Sequence, residues 1–154
     1  QNQVETVSYV FRLHFTTPQL EETCRKICDK YDVLLMMDEV MTGIGRTGKL
    51  FGYEHFDTIP DIMTLGKGLS GGYFQLGAVV ARARVTDVIE QNSGLFPSGC
   101  TWAGNPMAAV VAGKTIDMVK GKNLVHRANQ MGQYLGSKLE WLRTHPSVGD
   151  VRNR

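Results

Sequence analysis

Residues Val33 to Tyr73 read VLLMMDEVMTGIGRTGKLFGYEHFDTIPDIMTLGKGLSGGY, and the organisation of the chain is decided there. Val33 to Met37 is an unbroken apolar run ending on Asp38. Such a run reads as a strand covered on both faces, the pattern of a parallel sheet. A second short run, Ile62 to Leu65, follows Pro60 and leads into Lys67, which stands between Gly66 and Gly68. A carboxylate at the end of one buried strand and an amine at the end of another can hold opposite sides of one flat ligand.

Upstream, Pro18 to Tyr31 reads as a helix. Thr17 suits its N-cap and Pro18 its first turn. Leu20, Cys24, Ile27, Cys28 and Tyr31 recur at helical spacing as one apolar face. Asp32 breaks the pattern, and Asp tolerates a left-handed turn better than most residues. Downstream, Thr42 to Gly48 is rich in glycine, Phe51, Tyr53 and Phe56 make an aromatic loop, and Leu76 to Ala81 reads as a third strand. Asn105-Pro106 opens a helix to about Lys120, which Gly121 can cap. A long amphipathic helix then carries Leu124, Ala128, Met131, Leu135, Leu139 and Leu142 on one side until His145-Pro146. Strands alternating with helices through short loops predict an α/β layered domain.

With 154 residues, 42% hydrophobic and 21% charged, the chain is long and apolar enough for an ordinary globular core. Its net charge of +2 carries no basic block, so nucleic acid is not an expected partner. Cys24 and Cys28, one helical turn apart, read as core thiols. The histidines at 14, 55, 126 and 145 are scattered, and no metal site is expected. No apolar run is long enough to span a bilayer and no signal peptide opens the chain, so no membrane partner and a cytoplasmic location are expected. The chain lacks an initiator Met, and VGDVRNR stops where a strand is starting, which reads as a piece of a longer protein.

Three motif readings compete for the central stretch. Gly43 to Gly48 matches GxGxxG after a strand, but Lys49-Leu50-Phe51-Gly52-Tyr53 is poor material for the long helix a dinucleotide site needs. Gly43 to Lys49 also matches most of a P-loop, but Leu50 stands where a Ser or Thr would hold magnesium. The third reading is a pyridoxal phosphate site. That cofactor needs a buried carboxylate to keep its ring nitrogen protonated, which suits Asp38. It needs an amine able to lose its proton, which suits Lys67. Ser98, Gly99, Thr101 and the start of the Asn105 helix offer donors to a phosphate. Taken singly, Asp38 also matches a strand-end cap and Lys67 a turn lysine.

Leu34 to Lys49 (LLMMDEVMTGIGRTGK), Pro60 to Gly77 (PDIMTLGKGLSGGYFQLG), Thr101 to Ala109 (TWAGNPMAA) and Val148 to Arg152 (VGDVR) together resemble the class III, omega-type aminotransferases, pyridoxal-phosphate enzymes of fold type I. The resemblance runs from about Gln19 to Arg152. It implies a three-layer α/β/α large domain, present in part, with the start of a small C-terminal domain: residues 1–121 in the former, 122–154 in the latter. It implies Asp38 as the partner of the pyridine nitrogen and Val40 as the residue packed on a ring face. It implies Lys67 as the Schiff-base lysine and proton shuttle, and Thr101 as the threonine that reaches the phosphate of a neighbouring subunit. It also implies a homodimer that moves an amino group from an amino acid or amine to a 2-oxo acid or aldehyde. An aminomutase, decarboxylase or epimerase of the same fold would use the same groups, and a truncated, non-catalytic fragment is the reading outside enzymes. Gln75 stands where many relatives have proline and Cys100 where many have histidine, and neither change removes a group the chemistry needs.

Overall fold

A computed structural model of the chain describes residues 6–9, 18–56, 58–96 and 99–152. Four strands form one sheet in the order β1 (Thr6–Tyr9), β2 (Leu34–Asp38), β3 (Ile62–Leu65), β4 (Ala78–Ala81). β1, β2 and β3 run parallel, and β4 returns antiparallel against β3, with Leu65 opposite Ala78 and Ile62 opposite Ala81. The link from β1 to β2 carries a helix, as a parallel crossover requires. The link from β3 to β4 carries only a 3₁₀ turn, Lys67–Ser70, so the chain doubles straight back. The opening residues resolve into no clear element in the sequence, yet Thr6–Tyr9 forms the outermost strand. Its pairing partner, Leu34–Met37, lies far along the chain.

Helix α1 (Pro18–Lys30) ends where the periodicity predicts. Asp32 takes the left-handed conformation at φ +52°, and the Val33 N–H donates to the Cys28 carbonyl at 2.9 Å to close the helix. Thr17, read as the N-cap, and the side chain of Leu20 lie outside the described residues. The apolar face is narrower than its spacing suggests. Cys28 is buried and Cys24 packs against the same cluster, but Ile27 is 50% and Tyr31 63% exposed. Cys24 and Cys28 are free thiols in that core, and Cys100 is free and exposed.

Burial alternates along β2 and β3. Leu35 and Met37, then Met63 and Leu65, point to one face and are buried; Leu34, Met36, Asp38, Ile62 and Thr64 point to the other and are half-buried. Met37 and Met63 are register partners, so the four buried side chains share one side of the sheet. Cys24 and Cys28 of α1 cover one end of that side, and Ala112 and Ile116 cover the other, with Tyr53 touching both clusters. Each fully buried aliphatic side chain there stabilises the fold by about 1.5–3 kcal/mol. The expectation of strands covered on both faces holds for one face only among the described residues.

Helix α2 (Ala83–Asn92) is absent from the sequence reading. Arg82 is its N-cap without a side-chain cap bond, and Val85, Thr86, Val88 and Ile89 are β-branched, so neither capping nor propensity announces a helix. Helix α3 (Pro106–Gly121) starts as expected, with the Asn105 side chain accepting from the Met107 N–H at 2.9 Å. Its end differs: Gly121 is still helical, Lys122 is the C-cap, and the left-handed residue is Asn123 at φ +52°. Asn, like Gly, tolerates that region because its side chain is short and polar. Helix α4 (Leu124–Leu139) then tightens into a 3₁₀ segment, Glu140–Thr144, rather than running on as one α-helix through Leu142. Met131 and Leu135 on its apolar side are 47% and 53% exposed. No helix among the described residues is long and apolar enough to cross a membrane.

Candidate active site

Parallel pairing of β2 and β3 brings their C-terminal ends to one edge of the sheet. Asp38 is the last residue of β2, and Lys67 follows β3 after one glycine, so both groups leave the sheet at that edge. The crevice outside the carboxyl ends of parallel strands is where open α/β sheets bind ligands. Asp38 belongs to the half-buried face, as does Thr64, its direct neighbour across the strand pair.

Three carboxylates flank β2 and β3, Asp38 and Glu39 at the carboxyl edge and Asp61 at the opposite edge just before β3, and their hydrogen bonds separate them. Glu39, 3% exposed, has both oxygens engaged: Oε1 accepts from the Tyr53 N–H at 2.7 Å, and Oε2 from the Gly52 N–H at 2.9 Å and from the Thr42 hydroxyl. Asp61, 1% exposed, is likewise used on both sides. Its Oδ1 accepts from Arg84 Nε at 2.8 Å, and its Oδ2 from Arg25 at 2.8 Å and from the Leu35 N–H at 2.9 Å. Asp38 differs. The Val40 N–H at 2.9 Å and the Thr64 hydroxyl at 3.3 Å both donate to Oδ1, and no described residue donates to Oδ2. A strand-end cap or ion-pair partner spends its acceptors on the protein, as Glu39 and Asp61 do. Asp38 leaves Oδ2 without a donor among the described residues.

Lys67 holds φ at +42°, a conformation uncommon for a residue with a side chain and one that clusters at functional sites. The 3₁₀ turn it opens, anchored by the Leu69 N–H on the Gly66 carbonyl at 2.9 Å, packs against α3. Its Nζ lies 2.8 Å from Met41 Sδ, the thioether three residues after Asp38, so the lysine side chain reaches back toward the end of β2. The amine is exposed rather than desolvated by the described residues. Val40 presses its methyls toward Gly66: a Cβ at that glycine would lie 3.5 and 3.7 Å from them. Val40 therefore separates the end of β2 from the turn that carries Lys67.

Thr101 is exposed in the turn ahead of α3 and makes no hydrogen bond to Asp38, Val40 or Lys67 among the described residues. Ser98 lies outside the described residues. Among those described, no three potential metal-binding side chains gather. The sequence reading passed over Glu39, Thr64, Asp61 and Met41. Thr64 stands out as the one polar residue of β3, but nothing local names its partner 26 positions away. Gly43 to Gly48, matched against two nucleotide motifs, opens no helix. It is a succession of turns laid against α4, where a Cβ on Gly48 would meet Asn129 Cα at 3.0 Å.

This architecture is that of the fold-type-I pyridoxal-phosphate transferases, in part. A transaminase from the marine bacterium Virgibacillus superposes at a TM-score of 0.83 with 40% identity, over 89% of this chain and 31% of that one. An (S)-enantioselective omega-transaminase from Thermomicrobium roseum does so at 0.82 with 36% identity, over 86% of this chain and 30% of its own. Residues 12–154 match the family Aminotransferase class-III, and the chain belongs to it. An acetylornithine aminotransferase from Caldanaerobacter subterraneus subsp. tengcongensis is 40% identical over 92% of this chain and 35% of its own length. The chain thus spans about a third of the relatives it matches.

Proposed function

We propose that this chain is the central part of a pyridoxal-phosphate-dependent aminotransferase that takes an amino group from an amino acid or amine and passes it to a 2-oxo acid or aldehyde. The observation that carries the reading is the unspent Oδ2 of Asp38, at the same sheet edge as Lys67. The donor set fits the cofactor. Asp38 can accept from a protonated ring nitrogen, Lys67 brings a primary amine from the adjacent strand, and Val40 offers an apolar surface between them. Bound there, pyridoxal phosphate supplies an electron sink for charge developing at the substrate Cα.

Each residue then has a task. The Asp38 carboxylate holds the proton on the ring nitrogen by a charge-assisted hydrogen bond. The Lys67 amine would be the attachment point for the cofactor aldehyde and, when free, the base that takes the proton from the substrate Cα. Val40 would offer its methyls as an apolar surface to one face of the ring. Thr101, exposed ahead of α3, contributes its hydroxyl to the phosphate held by the other subunit of a homodimer. In this reading residues 1–121 belong to the cofactor domain, and the short Lys122-Asn123 link leads into the connecting helix of the small domain.

Borohydride reduction of the full-length enzyme loaded with pyridoxal phosphate tests this. Peptide mapping is expected to find the cofactor fixed to the segment Leu65 to Leu69, on Lys67. A label on Lys49 instead overturns the assignment.

A further inference from the structure

Asp38 is loaded on one oxygen only, and the two donors that load it have different origins. The Val40 N–H reaches Oδ1 at 2.9 Å through a local turn, two residues on, and any side chain at position 40 other than proline would leave that donor in place. Thr64 reaches the same atom at 3.3 Å from β3. Sheet register places it there: Thr64 is the Cα partner of Asp38, and parallel partners project to the same face. The backbone closes the arrangement, because the Glu39 N–H donates to the Thr64 carbonyl at 2.9 Å just past the end of β2. Among the described residues Thr64 is the one side chain that donates to Asp38.

We propose that Thr64 is a positioning residue for Asp38, an inference that rests on the aminotransferase reading above. With two donors converging on Oδ1, the carboxylate is pinned about its χ2 torsion, a torsion that is otherwise broad. Oδ2 is then presented in one direction, toward the place of the ring nitrogen. A valine at 64 has the same shape and packs alike, but leaves the carboxylate free to turn and share its oxygens between the Val40 N–H and the ring. In this role Thr64 acts through Asp38.

The test uses the full-length enzyme with Thr64→Val, Thr64→Ala, Thr64→Ser and Asp38→Asn. Two readouts besides turnover are taken: the dissociation constant of pyridoxal phosphate from the apoenzyme, and the pH titration of the ring nitrogen followed by nitrogen NMR with ¹⁵N-labelled cofactor. Thr64→Val and Thr64→Ala are expected to loosen the cofactor about fivefold, the effect of one hydrogen bond, and to lower kcat with little change in KM for the amino donor. Their ring nitrogen is expected to lose its proton at lower pH than in the parent. Thr64→Ser, which keeps the hydroxyl, is expected to restore the parent titration, a recovery that loss of packing alone does not give. Hydroxyl-free variants that titrate like the parent while Asp38→Asn shifts overturn the role of Thr64 alone. An unshifted Asp38→Asn overturns the reading of Asp38 and this inference with it.

Discussion

Asp61 lies out of solvent just before β3, gathering α1 through Arg25, β2 through the Leu35 N–H and α2 through Arg84. Burial by itself pushes its carboxyl up, but the hydrogen bonds from Arg84, Leu35 and Arg25 and the Arg25 charge outweigh it and hold the carboxyl below its usual 3.8. The sign follows from that direction. A carboxyl lowered in the folded state stabilises the fold in full above its unfolded value, and loses that contribution as pH falls through the folded one. Asp61→Asn leaves the largely buried Arg25 without its deep counter-charge and is expected to cost about 3 kcal/mol in denaturant unfolding at neutral pH. The gap between parent and variant is expected to close as the pH is taken down past 3.8, and a gap independent of pH counts against the ion cluster as its cause.

The glycine-rich loop is explained by the helix it meets. A Cβ on Gly45 would lie 3.2 Å from Val125 Cγ2, and one on Gly48 would lie 2.8 Å from Asn129 Cβ, both residues of α4. Gly48 also sits at φ +81°, so an alanine there meets backbone strain and a collision with a helix at once. Gly72 is the internal control: at φ +83° it is equally left-handed, with nothing within 4 Å of its missing Cβ. Gly72→Ala is expected to cost about 1–2 kcal/mol from backbone strain alone. Gly48→Ala is expected to cost about 1–3 kcal/mol more, the range for overpacking, read as the difference in unfolding midpoint between the two variants of the full-length protein. Equal costs would mean that α4 yields without resistance and that the loop is not held by it.

At the scale of the molecule, several large apolar side chains of the described residues are uncovered. Trp102 is 76% exposed beside Thr101, Tyr73 is 88% exposed after the Lys67 turn, and Trp141 is 64% exposed beyond α4. If Thr101 serves the neighbouring subunit, mixing a Thr101→Ala chain with a Lys67→Ala chain is expected to give hybrid dimers with one sound and one doubly damaged site. Activity above the sum of the two parents is the expected result. Activity that never exceeds that sum assigns Thr101 to its own subunit.

Local chemistry carried the elements and the positions of Asp38 and Lys67 at two strand ends. The Val33 to Met37 run, the Asn105-Pro106 start of α3 and the helical spacing of α1 depend on neighbours a few residues away, and those are legible in a string. So are Asp38 and Lys67, because each stands at the end of a hydrophobic run where the chain leaves the sheet. Tertiary structure decided the rest. β1 is a strand because β2 lies beside it, and α2 is a helix despite four β-branched residues, with Arg84 of its first turn held on Asp61. Gly48 is required by Asn129, far along the chain. The distinction among the carboxylates was also non-local. Asp38, Glu39 and Asp61 are alike as letters, and only their partners, brought from Thr64, Gly52, Tyr53, Arg25 and Arg84, show that two are spent on the fold while Asp38 leaves Oδ2 without a donor among the described residues. Hydrogen bonding across a sheet joins residues by register rather than by sequence distance, so no pattern along the chain records it.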